Sequence, residues 1–111
     1  MIYIIEQWNA KPSWLALSGE ERESYMNQVG QAIEELLNNG VKVLTWSVND
    51  NSTSRKAAYD YFAIWSFPNQ EAANSFQQLV TGAGWYNYFE QTNLMGKEQS
   101  AAEVIGKLIS L

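Results

Sequence analysis

The sequence predicts an α+β fold, a four-stranded antiparallel sheet with two helices on one face and a third helix at the C-terminal end. Three observations predict it. Short stretches rich in β-branched and aromatic residues, Ile2 to Trp8, Val41 to Val48 and Ala58 to Phe67, alternate with longer ones whose apolar residues recur every three or four positions. The junctions carry helix-start and helix-stop chemistry: Ser18 with Glu21, Asn69 after Pro68, Ser100 with Glu103, and Gly40. The stretch from Tyr59 to Phe76 runs from an aromatic strand through one short turn into a helix, which repeats the order found at the start of the chain.

Each element follows from its own residues. Ile2 to Trp8 reads as the strand that begins the sheet, and Lys11-Pro12 closes it. Ser13 to Leu17 makes a single turn, after which Ser18 and Glu21 form a capping box that begins a long helix. Its apolar stripe is Tyr25, Met26, Val29, Ile33, Leu36 and Leu37, and Asn38-Asn39-Gly40 ends it with a residue suited to the left-handed C-cap. Val41 to Val48 returns as the second strand. The polar segment from Asn49 to Lys56 has no apolar anchor and reads as an exposed hairpin loop. Ala58 to Phe67 is the third strand, and Asn69 caps a helix with Ala72, Ala73, Phe76, Leu79 and Val80 inward. Gly82-Ala-Gly84 ends that helix; Trp85 to Met95 reads as a fourth strand, and Gly96 breaks it. Ser100 and Glu103 open the last helix, whose apolar residues are Val104, Ile105, Leu108 and Ile109.

Strand, helix, strand, strand, helix, strand is the split βαβ, or ferredoxin-like, order, in which the first strand lies between the third and fourth. Two helices can cover only one face of such a sheet. The other face needs a partner, and a two-fold homodimer that stacks two faces into a barrel-like core is the simplest one, with the last helix reinforcing it. The expected unit is a single domain over residues 1–111.

Composition removes whole classes of chemistry. With no cysteine, the chain has no disulfide, thiolate nucleophile or Cys-ligated metal centre. With no histidine, it lacks the usual haem ligand and the usual general base near neutral pH, so acid and base work falls to carboxylates and phenols; no cofactor and no metal are expected. A formal net charge of -5 with seven scattered Lys and Arg gives no basic stripe for phosphates, which argues against nucleic acid. The first apolar run is broken by Glu6, short of a membrane span or a signal core, which points to a cytoplasmic protein with no membrane partner. Five Trp, six Tyr and four Phe exceed what one small core requires, so some of them should line a cavity or a subunit contact.

With this order and the segment Ala63-Ile-Trp-Ser-Phe-Pro-Asn-Gln-Glu-Ala-Ala73, the chain resembles the dimeric α+β barrel superfamily, and within it the antibiotic-biosynthesis-monooxygenase-like proteins. In that group a strand often ends with Trp just before the second helix, where Trp65 stands; Asn9 is the candidate match for a strand-one Asn. Lys11 to Arg22, with Gly84-Trp-Tyr-Asn-Tyr-Phe-Glu90, is also similar to small darcynin-type families. The resemblance implies a dimer and a small-molecule site of the kind used by cofactor-free oxygenases and lactone isomerases. The superfamily's haem-handling branches depend on histidine, which is absent here.

Strand alternation sorts the candidate site residues. Ile2, Ile4, Glu6 and Trp8 share one face of the first strand; Tyr59, Tyr61, Ala63, Trp65 and Phe67 share one of the third; and Tyr86, Tyr88, Glu90 and Thr92 share one of the fourth. If these faces coincide, phenols and indoles surround one carboxylate in a cavity of a few hundred cubic ångströms. The expected catalytic set is Glu6 as base with Tyr61 and Tyr88 orienting a substrate oxygen, and the expected ligand contacts are Trp8, Trp65 and Glu90. The bland alternatives are that Glu6 pairs with Arg22 or Lys11, that Glu90 faces water, and that Trp65 is core filler. Trp14 is expected to cap the helix pair, and Trp46 and Trp85 to lie at the dimer contact.

Overall fold

A computed structural model describes residues 1–111. The elements run β1 (Ile2–Ala10), α1 (Pro12–Leu15), α2 (Gly19–Asn38), β2 (Lys42–Val48), β3 (Tyr61–Phe67), α3 (Gln70–Gly82), α4 (Trp85–Tyr88), β4 (Phe89–Lys97) and α5 (Ala101–Ile109). The sheet order is β2-β3-β1-β4 with every pair antiparallel, so β1 lies between β3 and β4 as the order of elements predicts. No helix is long and apolar enough to cross a membrane.

The helix boundaries follow their caps. Ser18 accepts from the Glu21 amide at 3.1 Å while the Glu21 carboxylate accepts from the Ser18 amide at 3.0 Å, and Ser100 and Glu103 repeat the arrangement on α5. Asn69 Oδ1 accepts from the Ala72 amide at 2.8 Å. Two amides of α2 depend on the Ser18 pair, so Ser18→Ala is expected to cost about 1 kcal/mol. A urea denaturation midpoint identical to that of the wild type would contradict this.

Several strand boundaries differ from expectation. Gly96 does not break the fourth strand, because β4 stays paired with β1 through it, Gly96 opposite Tyr3 and Lys97 opposite Ile2. β3 starts at Tyr61, three residues later than predicted, because the Asn9 side chain takes the place of a strand neighbour: its amide donates to Ala58 O at 3.1 Å and its carbonyl accepts from Asp60 N at 2.8 Å. Asn49 similarly donates to the carbonyls of Ala57 and Tyr59. The largest difference is at Trp85 to Tyr88, which is one helical turn and not strand. Gly84 enters it at φ +76°, a conformation that only glycine adopts freely, and an added Cβ there would stand 3.1 Å from the Asn87 side chain. The turn then places Trp85, Tyr88 and Phe89 at helical spacing toward the interior. Lys11 fixes it from the end of the neighbouring β1, its amide donating to Tyr88 O and its ammonium to Tyr86 O.

One sheet face is covered. On it Ile2, Ile4, Glu6 and Trp8 of β1 stand beside Ala63, Trp65 and Phe67 of β3, with Ala73 and Phe76 of α3 above them. Leu79 of α3 and Met26 and Leu37 of α2, expected inward, are exposed, because they lie at the margins of their helices' apolar stripes. α2 sits loosely: its stripe of Tyr25, Val29, Ile33 and Leu36 packs against the core, yet no α2 residue is fully buried. The opposite sheet face carries Tyr3, Ile5, Phe62, Ile64 and Leu94 and has no helix over it.

Candidate functional site

The register of the sheet builds the site. Glu6 lies directly opposite Ala63 on one side and Asn93 on the other. Because Ala63 is small and fully buried, the carboxylate can turn toward its diagonal neighbours instead. On β3 that neighbour is Trp65, whose Nε1 donates to Glu6 Oε1 at 2.7 Å; on β4 it is Gln91, whose Nε2 donates to Glu6 Oε2 at 2.8 Å. Gln91 Oε1 in turn accepts from Trp85 Nε1 at 2.8 Å, and Gln91 Nε2 also donates to Asn93 Oδ1 at 2.9 Å.

The direction of this chain is forced. An indole N–H can only donate, so Trp85 obliges Gln91 to present its carbonyl there and its NH₂ to Glu6, while Trp65 occupies the other carboxylate oxygen. Both Glu6 oxygens are therefore acceptors, an arrangement that suits the ionised form. Burial opposes it: Glu6 is 6% exposed. Desolvation outweighs the hydrogen bonds from Gln91 and Trp65, and the Glu6 pKa lies above the ordinary 4.5. No cation offsets it. Arg22 donates to the carbonyls of Trp14 and Leu15, and Lys11 to that of Tyr86, so the ion pair considered from the sequence does not form.

A cavity of about 50 Å³ lies between the covered sheet face, α2 and α3. Its walls include Val29 and Ala32 of α2, Phe76 and Val80 of α3, and Trp46, Trp65 and Trp85; Glu6 is the one lining residue of twelve that is not hydrophobic. This volume is well below the few hundred cubic ångströms expected, because indoles occupy the space: Trp65 packs tilted against Phe76 at 4.8 Å between centroids and meets Trp46 edge-on at 5.8 Å.

Glu6 and Trp65 are thus brought together, and Trp8, on the same face, borders them through its edge contacts with Trp46 and Trp85. Tyr61, Tyr88 and Glu90 are not. Tyr61 stacks on Trp8 at 6.0 Å at the far end of the sheet, on the correct face but outside the cavity. Tyr88 belongs to α4 and packs with Trp14 and Tyr25, outside the cavity. Burial, then the neighbouring Tyr88, raises the Tyr25 phenol above its ordinary pKa. Glu90 pairs with Asn9 and is exposed on the uncovered face, because β4 alternates one residue out of phase with the predicted strand. The same shift brings in Gln91, which sequence reasoning missed; the signal was the helical spacing of Trp85, Tyr88 and Phe89. Trp85, expected at a subunit contact, is buried, whereas Trp46 is 43% exposed.

Among solved structures the chain is similar to the candidate chlorite dismutase TA0507, with 16% identity over 96% of this chain and a TM-score of 0.69, although it spans only 48% of that protein's length. At3g17210 from Arabidopsis thaliana matches with 12% identity over 91% of this chain and 98% of its own, at a TM-score of 0.63. The 5-chloro-2-hydroxyhydroquinone dehydrochlorinase TftG from Burkholderia phenoliruptrix AC1100, solved with 2,5-dihydroxybenzoquinone, matches with 15% identity, 93% and 98% coverage and a TM-score of 0.51. Such likenesses establish the fold, the ferredoxin-like α+β architecture of dimeric α+β barrel proteins. No curated protein matches the chain. Over residues 1–111 the chain belongs to DUF6616, a family of unknown function.

Proposed function

We propose that residues 1–111 act as one domain that binds a small planar organic molecule between α2 and α3, over Glu6. The observation that carries this reading is a single buried carboxylate set in an otherwise apolar wall. A cavity of about 50 Å³ has room for a few waters but falls short of a ligand-sized site, so binding a ring requires α2 to move outward, and its lack of any fully buried residue makes that displacement inexpensive. In the bound state Glu6 takes a proton from an acidic O–H or C–H of the ligand, while Trp65 stacks on its ring and holds one carboxylate oxygen. The reaction class that fits is cofactor-free oxygenation or isomerisation, as in the antibiotic-biosynthesis-monooxygenase-like proteins. The planar quinone held by TftG makes a suitable probe.

We also assign the uncovered sheet face to a homodimer contact and the protein to the cytoplasm. A rival reading, a non-catalytic dimerising module with a filled core, is favoured by the small cavity and by the pairing of both Glu6 oxygens. Thermal unfolding with 2,5-dihydroxybenzoquinone decides between them. Saturating ligand at a hundred times its Kd adds about 2.7 kcal/mol, a rise of several degrees in Tm. That rise is expected for the wild type and should vanish in Ala32→Trp, which plugs the cavity from α2. No rise at millimolar quinone would leave the filled-core module as the function.

A further inference from the structure

We propose that α5 packs against the uncovered sheet face of a second copy of the chain, in the groove between β1 and β4, and that the exchange is reciprocal about a two-fold axis. The proposal rests on the homodimer reading and names the element that completes it. α5 is well specified as a helix, with a full capping box at Ser100 and Glu103 and Lys107 in its last turn. Even so, nine residues are fewer than a helix needs to persist alone in water. Its apolar face is Val104, Ile105, Leu108 and Ile109, whose exposure runs from 47% at Val104 to 80% at Ile109. Nothing in its own chain covers it.

The groove has matching chemistry. Tyr3, Ile5, Leu94 and Gly96 line about 300 Å³ along the β1–β4 pair, and a Cβ added at Gly96 would meet nothing within 4 Å, so the floor is open where a helix would sit. The same chain's α5 is held away from it. The connector is only Glu98 to Ser100; the Glu98 amide donates to Met1 O at 2.9 Å and Ser100 is fixed as the N-cap. Charge selects a second copy over an anionic lipid surface, because α5 carries one Glu and one Lys with no basic face and the chain's net charge is -5. Two-fold symmetry then buries both helices and both grooves at once.

The chain has no cysteine, so engineered thiols report without background. Full-length Leu108→Cys and Leu94→Cys chains, one carrying a size tag, are mixed and oxidised; a covalent heterodimer is expected in the mixture. Full-length Ile105→Gln/Leu108→Gln should raise the dimer Kd by about 100-fold or more in sedimentation, since it removes apolar burial at two symmetric sites. Gly96→Phe, which fills the groove at a position open to a side chain, should do the same while keeping the wild-type far-ultraviolet dichroism. A wild-type dimer whose Kd is unmoved by these variants and which gives no mixed disulfide overturns the exchange and leaves the homodimer standing. A wild-type chain that is monomeric at micromolar concentration overturns both, as does a monomer that floats with phosphatidylglycerol vesicles, which would assign α5 to lipid.

Discussion

Trp65→Ala is expected to destabilise the protein by about 3–5 kcal/mol, the range for a large buried aromatic truncated in a packed core. Trp65 is 1% exposed and fills the space between the sheet and Phe76, so its removal opens a void that Trp46 and Phe76 can only partly close. It also strips one donor from a buried carboxylate. Trp65→Phe separates the two effects by keeping most of the ring volume while deleting the Nε1 bond to Glu6. The loss should then be about 1–3 kcal/mol, the cost of a buried polar group left without its partner. Urea denaturation at pH 7 measures both. A Phe variant as stable as the wild type would mean that the Trp65 to Glu6 bond contributes nothing to the fold.

Substitutions at Glu6 are expected to alter both the magnitude of stability and its pH dependence. Glu6→Ala leaves the Trp65 N–H without an acceptor and removes one from Gln91, which should cost about 2–4 kcal/mol. Glu6→Gln isolates the ionisation. Because burial raises the folded-state pKa above 4.5, the folded chain holds the Glu6 proton more tightly than the unfolded one. The resulting stability is fully present below pH 4.5, falls as pH rises above it, and is gone once Glu6 ionises in the folded state. Glu21 and Asp50, held below the ordinary carboxylate range by hydrogen bonds with Ser18 and Ser52, act in the opposite sense, losing stability as pH falls. They cancel in the difference between wild type and Glu6→Gln. That difference should move against the wild type as pH is raised from 4.5 to neutrality, and a flat difference would refute a raised Glu6 pKa.

The fold was legible because its signals are local. Capping boxes at Ser18 and Ser100, the cap at Asn69 and the period-two runs of β1 and β3 each depend on a few neighbouring residues, and together they leave one strand order. Glu6 and Trp65 were legible for the same reason, since alternation along two well-marked strands puts both on one face. The misplacing of Tyr88, Glu90 and Gln91 comes from Trp85 to Tyr88. Those aromatics have strand propensity, but the left-handed Gly84 and the Lys11 contacts, made from far away in sequence, turn them into a helix. The strand after them is then counted one residue out of phase, which exchanges Gln91 for Glu90 and moves Tyr88 out of the site. Nothing in the strand pattern could reveal how much of the cavity the indoles occupy, because that depends on side-chain packing across three elements.

The indoles also make the region its own optical reporter. Trp85, Trp8, Trp46 and Trp65 form an unbroken series of ring contacts with centroids 5.4 to 5.8 Å apart, and the last of them is hydrogen-bonded to Glu6. At such spacings the excited states of neighbouring chromophores mix, so near-ultraviolet dichroism and emission belong to the group and not to any one ring. A displaced α2 or a charge appearing on the carboxylate therefore registers in the protein's intrinsic spectrum, with no label added.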